Sequence, residues 1–198
     1  MIPAVEVLYR DNLVYLPVPK NASTMFVATF RDAGWNAIDL RELPAEMVYF
    51  GHIQNPHIRH TKGVVEFLYR HGLLDIIDIE RFALLLTHGM YDVHTYPISI
   101  LYPNHYKITH WIPLDLERNG FNANILTSYF LEKNGVRLKI PKSTVRHAST
   151  YQQKDFFKKL SEVKLRYPDW IDELSFRFLS EDILSYSAAI ENYNTLRK

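Results

Sequence analysis

The stretch from Leu13 to Gly34, LVYLPVPKNASTMFVATFRDAG, limits what this chain can fold into more than any other. Leu13 to Val18 is a short apolar run in which Val14, Leu16 and Val18 alternate with Tyr15 and Pro17. Both sets are largely apolar, which suits a strand covered on both faces, as in the parallel sheet of an α/β protein. Pro19 to Ala22 is a tight turn. Ser23 and Thr24 suit a helix start, because a side-chain oxygen can accept an orphan amide hydrogen there. Met25, Phe26, Ala28 and Thr29 continue a helix from about Ser23 to Ala33, and Gly34 stops it. A strand, a turn carrying Lys20 and a helix N-terminus together form an anion site. The free amides point outward, the helix dipole favours negative charge, and the lysine adds a full positive one. Lys20 has no glycine before it and no hydroxyl directly after it, so this is not a Walker A loop.

Composition narrows the rest. The 198 residues suffice for one α/β domain spanning 1–198, which would bury on the order of 70% of its unfolded surface. A hydrophobic content of 47% with 14% aromatics supports a real core and argues against disorder. A net charge of +1 argues against a general nucleic-acid binder. The absence of cysteine excludes disulfides and thiolate metal sites. The N-terminal MIPAVEVLYRDN lacks a basic segment followed by an apolar run, so no signal peptide is expected. No run of 18 apolar residues occurs, so no membrane span or membrane partner is expected. The expectation is a soluble, cytoplasmic protein.

Taken in order, Glu6 to Tyr15 opens with a short strand, and Trp35 to Pro44 reads as a mixed connection. Met47 to Ile53 is a second apolar strand beside the first, ending in Gln54-Asn55-Pro56, where the proline can open a helix. His57 to His71 and Ile79 to His88 read as helices, the latter apolar almost all round. Tyr91 to Leu101 reads as a loop turning extended, and Tyr106 to Leu114 as a strand. Asn122 to Asn134, Gln153 to Arg166 and Ile171 to Tyr186 read as helices, with a basic irregular stretch from Val136 to Thr150. The pattern predicts a P-loop-like, small and mainly parallel sheet flanked by helices, with a helix-rich C-terminal half.

PKNAST after a first strand resembles the 5′-phosphosulfate loop of sulfotransferases, which use 3′-phosphoadenosine 5′-phosphosulfate (PAPS). GHIQNPHIRHTKGVVEFLYR resembles the family's 3′-phosphate segment: a strand, Arg-Asp-Pro, an arginine beyond the proline, then a serine three residues on. Pro56 and Arg59 hold their places, and Asn55 stands where Asp is usual. Gln54 stands in place of the first arginine and Lys62 in place of the serine. DVHTYPIS, from Asp92 to Ser99, resembles the His-x-x-Pro-Gln element of carbohydrate sulfotransferases. FLSEDILSYS resembles the C-terminal helix of the family, with Asp182, Leu184 and Tyr186 in place and a structural role. YKITHWIPLDLE and TVRHAST resemble the strand before an acidic stretch and a basic loop near the cofactor.

The resemblance implies sulfuryl transfer from PAPS to a hydroxyl, leaning towards a carbohydrate acceptor, without a metal. Asn21, Ala22, Ser23 and Thr24 would hold the 5′-phosphate and Lys20 would stabilise the leaving charge. Arg59 and Lys62, one turn apart, would face the 3′-phosphate together. The glutamate variant of the family places its base in the helix after the lysine loop, but Met25 to Arg31 contains no acid, which leaves the base to one of nine histidines. His94 is chosen, because Asp92 or Thr95 could orient its ring, and His52 is second. A small P-loop kinase and a non-catalytic binding or assembly protein that keeps the fold are the alternatives. The first lacks its glycine loop, and Gln54 with Lys62 are the signs that would mark the second. No feature of the sequence fixes the acceptor or the oligomeric state.

Overall fold

The computed structural model describes residues 6–43, 46–102, 108–114, 123–140 and 150–196. Five strands form one sheet: β1 (Glu6–Arg10), β2 (Leu13–Leu16), β3 (Asn36–Asp39), β4 (Val48–Ile53) and β5 (Ile108–Pro113). Their spatial order is β3-β1-β2-β4-β5. β2, β4 and β5 run parallel, as expected of strands separated by helices. The sheet as a whole is mixed rather than mainly parallel, because β1 pairs antiparallel with both β2 and β3. The turn Asp11-Asn12 leaves only two residues between paired Arg10 and Leu13, which forces a hairpin. Asp11 takes φ 54°, a conformation Asp tolerates better than most residues. β3 falls inside the stretch read as a mixed connection. It is an edge strand with Asn36 and Ala37 exposed, so no burial pattern marks it.

β2 is buried along its whole length, which explains why its two faces read alike. Val14 and Leu16 pack with Val7, Tyr49, Ile53, Leu101 and Ala189 on one side. Leu13 and Tyr15 pack with Phe26, Phe30, Phe50 and Leu131 on the other. Helix α1 (Ser23–Asp32) supplies Phe26 and Phe30, four residues apart on its inner face. It ends where Gly34 adopts φ 81°. α2 (Pro56–Arg70) starts with a proline in its first turn and with the Asn55 side chain accepting from the His57 and Ile58 amides.

α2 also joins a separate helical core. Val64 and Leu68 meet Phe82 and Leu86 of α3 (Ile79–His88), together with Val163, Trp170, Leu174 and Leu179. The stretch expected to turn extended before Leu101 forms a short helix instead, α4 (Ile98–Leu101). α5 (Ala123–Lys133) and α6 (Thr150–Arg166) match their expected positions. The C-terminal stretch, expected as one or two helices over Ile171 to Tyr186, is helical as far as Leu196. It runs as α7 (Trp170–Leu174), a π-helical turn (Ser175–Leu179) and α8 (Ser180–Leu196). The stretch after Leu114 and the basic loop before Thr150 lie outside the described residues, as do His105 and His147. Among the described residues no helix is long and apolar enough to cross a membrane.

Helix α2 and the C-terminal helix are tied together by a buried ion pair. Arg59 of α2, 1% exposed, donates from Nη2 to Asp182 Oδ2 of α8 at 3.0 Å and to the Tyr96 carbonyl at 2.7 Å. Asp182 also accepts from the Ile98 amide, at 2.9 and 3.1 Å to its two oxygens. Removing one partner of a buried pair leaves the other charge uncompensated. Asp182→Ala is therefore expected to lower unfolding stability by ~3–5 kcal/mol. Denaturant midpoints of wild type and variant measure this, and an unchanged midpoint would contradict the buried pair.

Candidate anion site

The lysine loop lies at the C-terminal end of β2, next to the C-terminal end of its parallel neighbour β4. Lys20 has φ 65° and Ala22 φ 56°, both left-handed without being glycine. Such residues cost of order 1–3 kcal/mol each and persist only where the surroundings over-determine them. Two buried amide side chains do so here. Asn21, fully buried, donates from Nδ2 to the His52 carbonyl at 2.7 Å. Gln54, also buried, donates from Nε2 to the Lys20 carbonyl. The turn is thus stapled to the last residues of β4 at two points.

This geometry changes the roles of the loop residues. Ala22, not Ser23 or Thr24, is the N-cap of α1, and no side chain caps the helix. The Met25 and Phe26 amides reach the Ala22 carbonyl. The Asn21 amide is engaged with the Val18 carbonyl at 3.1 Å, so Asn21 contributes an anchor rather than a phosphate donor. The amides of Ala22, Ser23 and Thr24 have no acceptor among the described residues. Ser23 and Thr24 also line a shallow cleft of about 420 Å³ with Pro17, Val27, Ala28 and Arg31. Free amides at a helix N-terminus, beside a lysine, attract anions through both hydrogen bonding and the dipole.

The Lys20 side chain is not idle. Its Nζ lies 3.0 Å from Glu66 Oε2, on α2, with the two side chains 23% and 28% exposed. Arg70, one turn on, donates from Nε to the other Glu66 oxygen at 2.8 Å. Burial would raise the Glu66 carboxyl, but hydrogen bonds from Arg70 and Lys20 outweigh it and hold the group below its ordinary range. Lys62, on the exposed side of α2, donates to Gln54 Oε1 at 3.0 Å. Gln54 therefore bridges the loop backbone to Lys62, in the position where the sulfotransferase pattern has an arginine.

Arg59 and Lys62 do not share a surface, contrary to expectation. Arg59 is spent in the core against Asp182, while Lys62 faces the loop. His94 does have the expected orienting partner. Asp92 accepts from the His94 amide at 2.8 Å, and its Oδ2 lies 3.1 Å from Nδ1. A carboxylate there fixes the proton on Nδ1 and leaves Nε2 as the basic nitrogen. Thr95, in contrast, closes the turn by donating to the Asp92 carbonyl. The His94 loop rests on α2 at Gly63, where an added methyl group would collide with the His94 carbonyl. Gly63 adjoins Lys62, so α2 carries both the loop-facing cation and the seat of the His94 turn.

The second-choice base, His52, is a core residue. It stacks on Phe26 at 3.6 Å, with Nε2 2.8 Å from Thr127 Oγ1 and Nδ1 3.3 Å from the Tyr15 hydroxyl. Burial pushes its pKa down to about 3. His60, buried against Phe178, is pushed down to about 4, chiefly by burial. Glu66 and the bridging role of Gln54 are what the sequence reading missed. The Lys62, Glu66, Arg70 ladder at four-residue spacing was the available signal. Among the described residues no group of three or more His, Asp or Glu could hold a metal ion.

Comparison with protein-family models, curated proteins and solved structures gave no match. The site is read from its own chemistry.

Two histidines kept neutral by burial give the fold an acid sensitivity with a definite sign. Their folded pKa values lie below the ordinary 6.5, so between that value and about 4 the unfolded chain binds more protons. Their contribution is complete above pH 6.5 and declines as pH falls. By pH 5 each is expected to have cost ~2 kcal/mol. Denaturation at pH 7 and 5 checks this, with His52→Gln flattening the profile; a wild-type stability independent of pH would rule it out.

Proposed function

We propose that this chain is a PAPS-dependent sulfotransferase acting on a hydroxyl acceptor, with a carbohydrate as the favoured class. The observation that carries the reading is the set of free amides of Ala22, Ser23 and Thr24, opening α1 directly after a parallel strand and beside Lys20. Ligands of open α/β sheets bind outside the carboxyl ends of the strands, and the P-loop-like arrangement belongs to this reading. These amides, with the Ser23 and Thr24 hydroxyls, would hold the 5′-phosphate. Lys62, beside Gln54, is the remaining candidate for the 3′-phosphate now that Arg59 is committed to Asp182.

In the transfer step the acceptor oxygen bonds to sulfur as the bond from sulfur to the phosphate oxygen breaks. The hydroxyl proton would pass to Nε2 of His94, held in place by Asp92. The negative charge would remain on the departing phosphate, where Lys20 and the helix terminus stabilise it. Positioning and charge stabilisation suffice for this chemistry, as in phosphoryl transfer.

The burial of Arg59 favours one competing reading, a binding or assembly protein that keeps the loop but has lost transfer. One experiment separates the two. Calorimetric titration with 3′-phosphoadenosine 5′-phosphate is expected to show micromolar binding by wild type. Lys20→Ala should weaken it about tenfold or more, with an unchanged circular-dichroism spectrum. Transfer to a mixed carbohydrate acceptor pool should fall ~10²–10³-fold in the same variant. Binding without any transfer would favour the assembly protein, and no binding by folded wild type would end the sulfotransferase reading.

A further inference from the structure

We infer that Glu66 is a latch on Lys20: it parks the lysine ammonium in the ligand-free protein and yields it to an incoming anion. The inference rests on the anion-site reading above and concerns how that site is regulated. Lys20 is the loop's cation, yet its ammonium is paired with a carboxylate of another element, 3.0 Å away. A carboxylate and a phosphate compete for the same ammonium with the same kind of charge-assisted hydrogen bond. In this arrangement Glu66 occupies the partner position that a bound phosphate oxygen would take.

Three features suit the pair to exchange rather than to permanent structure. Both side chains are about a quarter exposed, so the pair is partly screened and weakly held. Glu66 has a second cation in place, Arg70, bonded to its other oxygen. When Lys20 leaves, the carboxylate is not abandoned. Finally, the Lys20 backbone is held by contacts that do not involve its side chain. The Gln54 amide holds the Lys20 carbonyl, and the neighbouring Asn21 is locked to His52. A swing of the Lys20 side chain therefore needs no movement of the loop that carries the free amides.

The latch predicts a specific coupling. Glu66→Gln keeps the size of the side chain and one acceptor oxygen for Arg70 while removing the charge that holds Lys20. It is expected to tighten binding of 3′-phosphoadenosine 5′-phosphate ~3- to 10-fold. The same substitution in a Lys20→Gln background should have less than half that effect, because a latch acts through Lys20. An equal gain in both backgrounds would mean simple charge repulsion and would overturn the latch while leaving the anion site standing. No gain in either background would overturn it as well. A second measurement uses no ligand. Acetylation of Lys20 by acetic anhydride, followed by peptide mass mapping, should be several-fold faster in Glu66→Gln than in wild type. Equal rates would show that Glu66 does not restrain the ammonium. Absence of nucleotide binding in both wild type and Glu66→Gln would remove the anion-site reading itself, and the latch with it.

Discussion

Everything proposed for this molecule depends on the stapling of the Lys20–Ala22 turn to the end of β4. Two residues without the freedom of glycine hold left-handed backbone there, at a combined cost of a few kcal/mol. That cost is offset by buried hydrogen bonds from Asn21 to the His52 carbonyl and from Gln54 to the Lys20 carbonyl. Without them the turn could relax, and a side chain such as Ser23 could cap α1 in the usual way. The staple prevents this. It makes Ala22 the N-cap, a residue whose side chain accepts no hydrogen bond, and so leaves free first-turn amides that a capping side chain would otherwise engage. The strain and the open donors are two consequences of one constraint.

The position of β4 follows from packing. β2 and β4 are parallel neighbours, and their side chains alternate between the two sheet faces in matching register. Tyr15 and Phe50 share the α1 face with Phe26 and Phe30, while Val14, Leu16 and Ile53 share the opposite one. That register sets the end of β4 level with the turn, so that Asn21 can reach the His52 carbonyl. The burial of His52 belongs to the same arrangement. Its ring lies flat on Phe26 and its carbonyl receives Asn21, so the residue links core and turn and has no freedom to act as a base.

Much of this was legible in the chain. The strand-turn-helix unit from Leu13 to Gly34 lies where its pattern places it, because an apolar run, a proline-flanked turn and a terminal glycine agree, although the cap expected of Ser23 or Thr24 falls to Ala22. α2 and the Asp92–His94 pair were legible for similar reasons. The parts that were not depend on partners distant in sequence. β3 is an edge strand that pairs with β1 and packs one side chain, Ile38, against the core, so its composition carries little pattern. Arg59 matches a phosphate-binding position by spacing, but Asp182 lies 123 residues away and claims it for the core. Spacing from a proline cannot show which face of a helix the tertiary structure will bury. Gln54 read as a lost charge, whereas its two-sided amide suits a position that must donate to the Lys20 carbonyl and accept from Lys62. An arginine has no acceptor and could not make that bridge.

The site divides its labour between a rigid backbone and mobile charges. The turn that presents the free amides is held at the Lys20 carbonyl by Gln54 and at the Asn21 side chain by the His52 carbonyl. The charges around them can move: Lys20 and Lys62 sit on long side chains at the surface of α2 and the loop, and Glu66 is shared with Arg70. Lys20 and Arg70 share the carboxylate of Glu66, so this cluster carries more positive than negative charge among the described ion pairs. A partly exposed lysine–carboxylate pair contributes only ~0.2–1 kcal/mol, whereas a hydrogen bond to a charged group is worth ~1.5–3 kcal/mol. A phosphate that engaged Lys20 and the three amides together would therefore outcompete Glu66 for the lysine. The order of these magnitudes is what lets the ligand-free arrangement be stable and still give way.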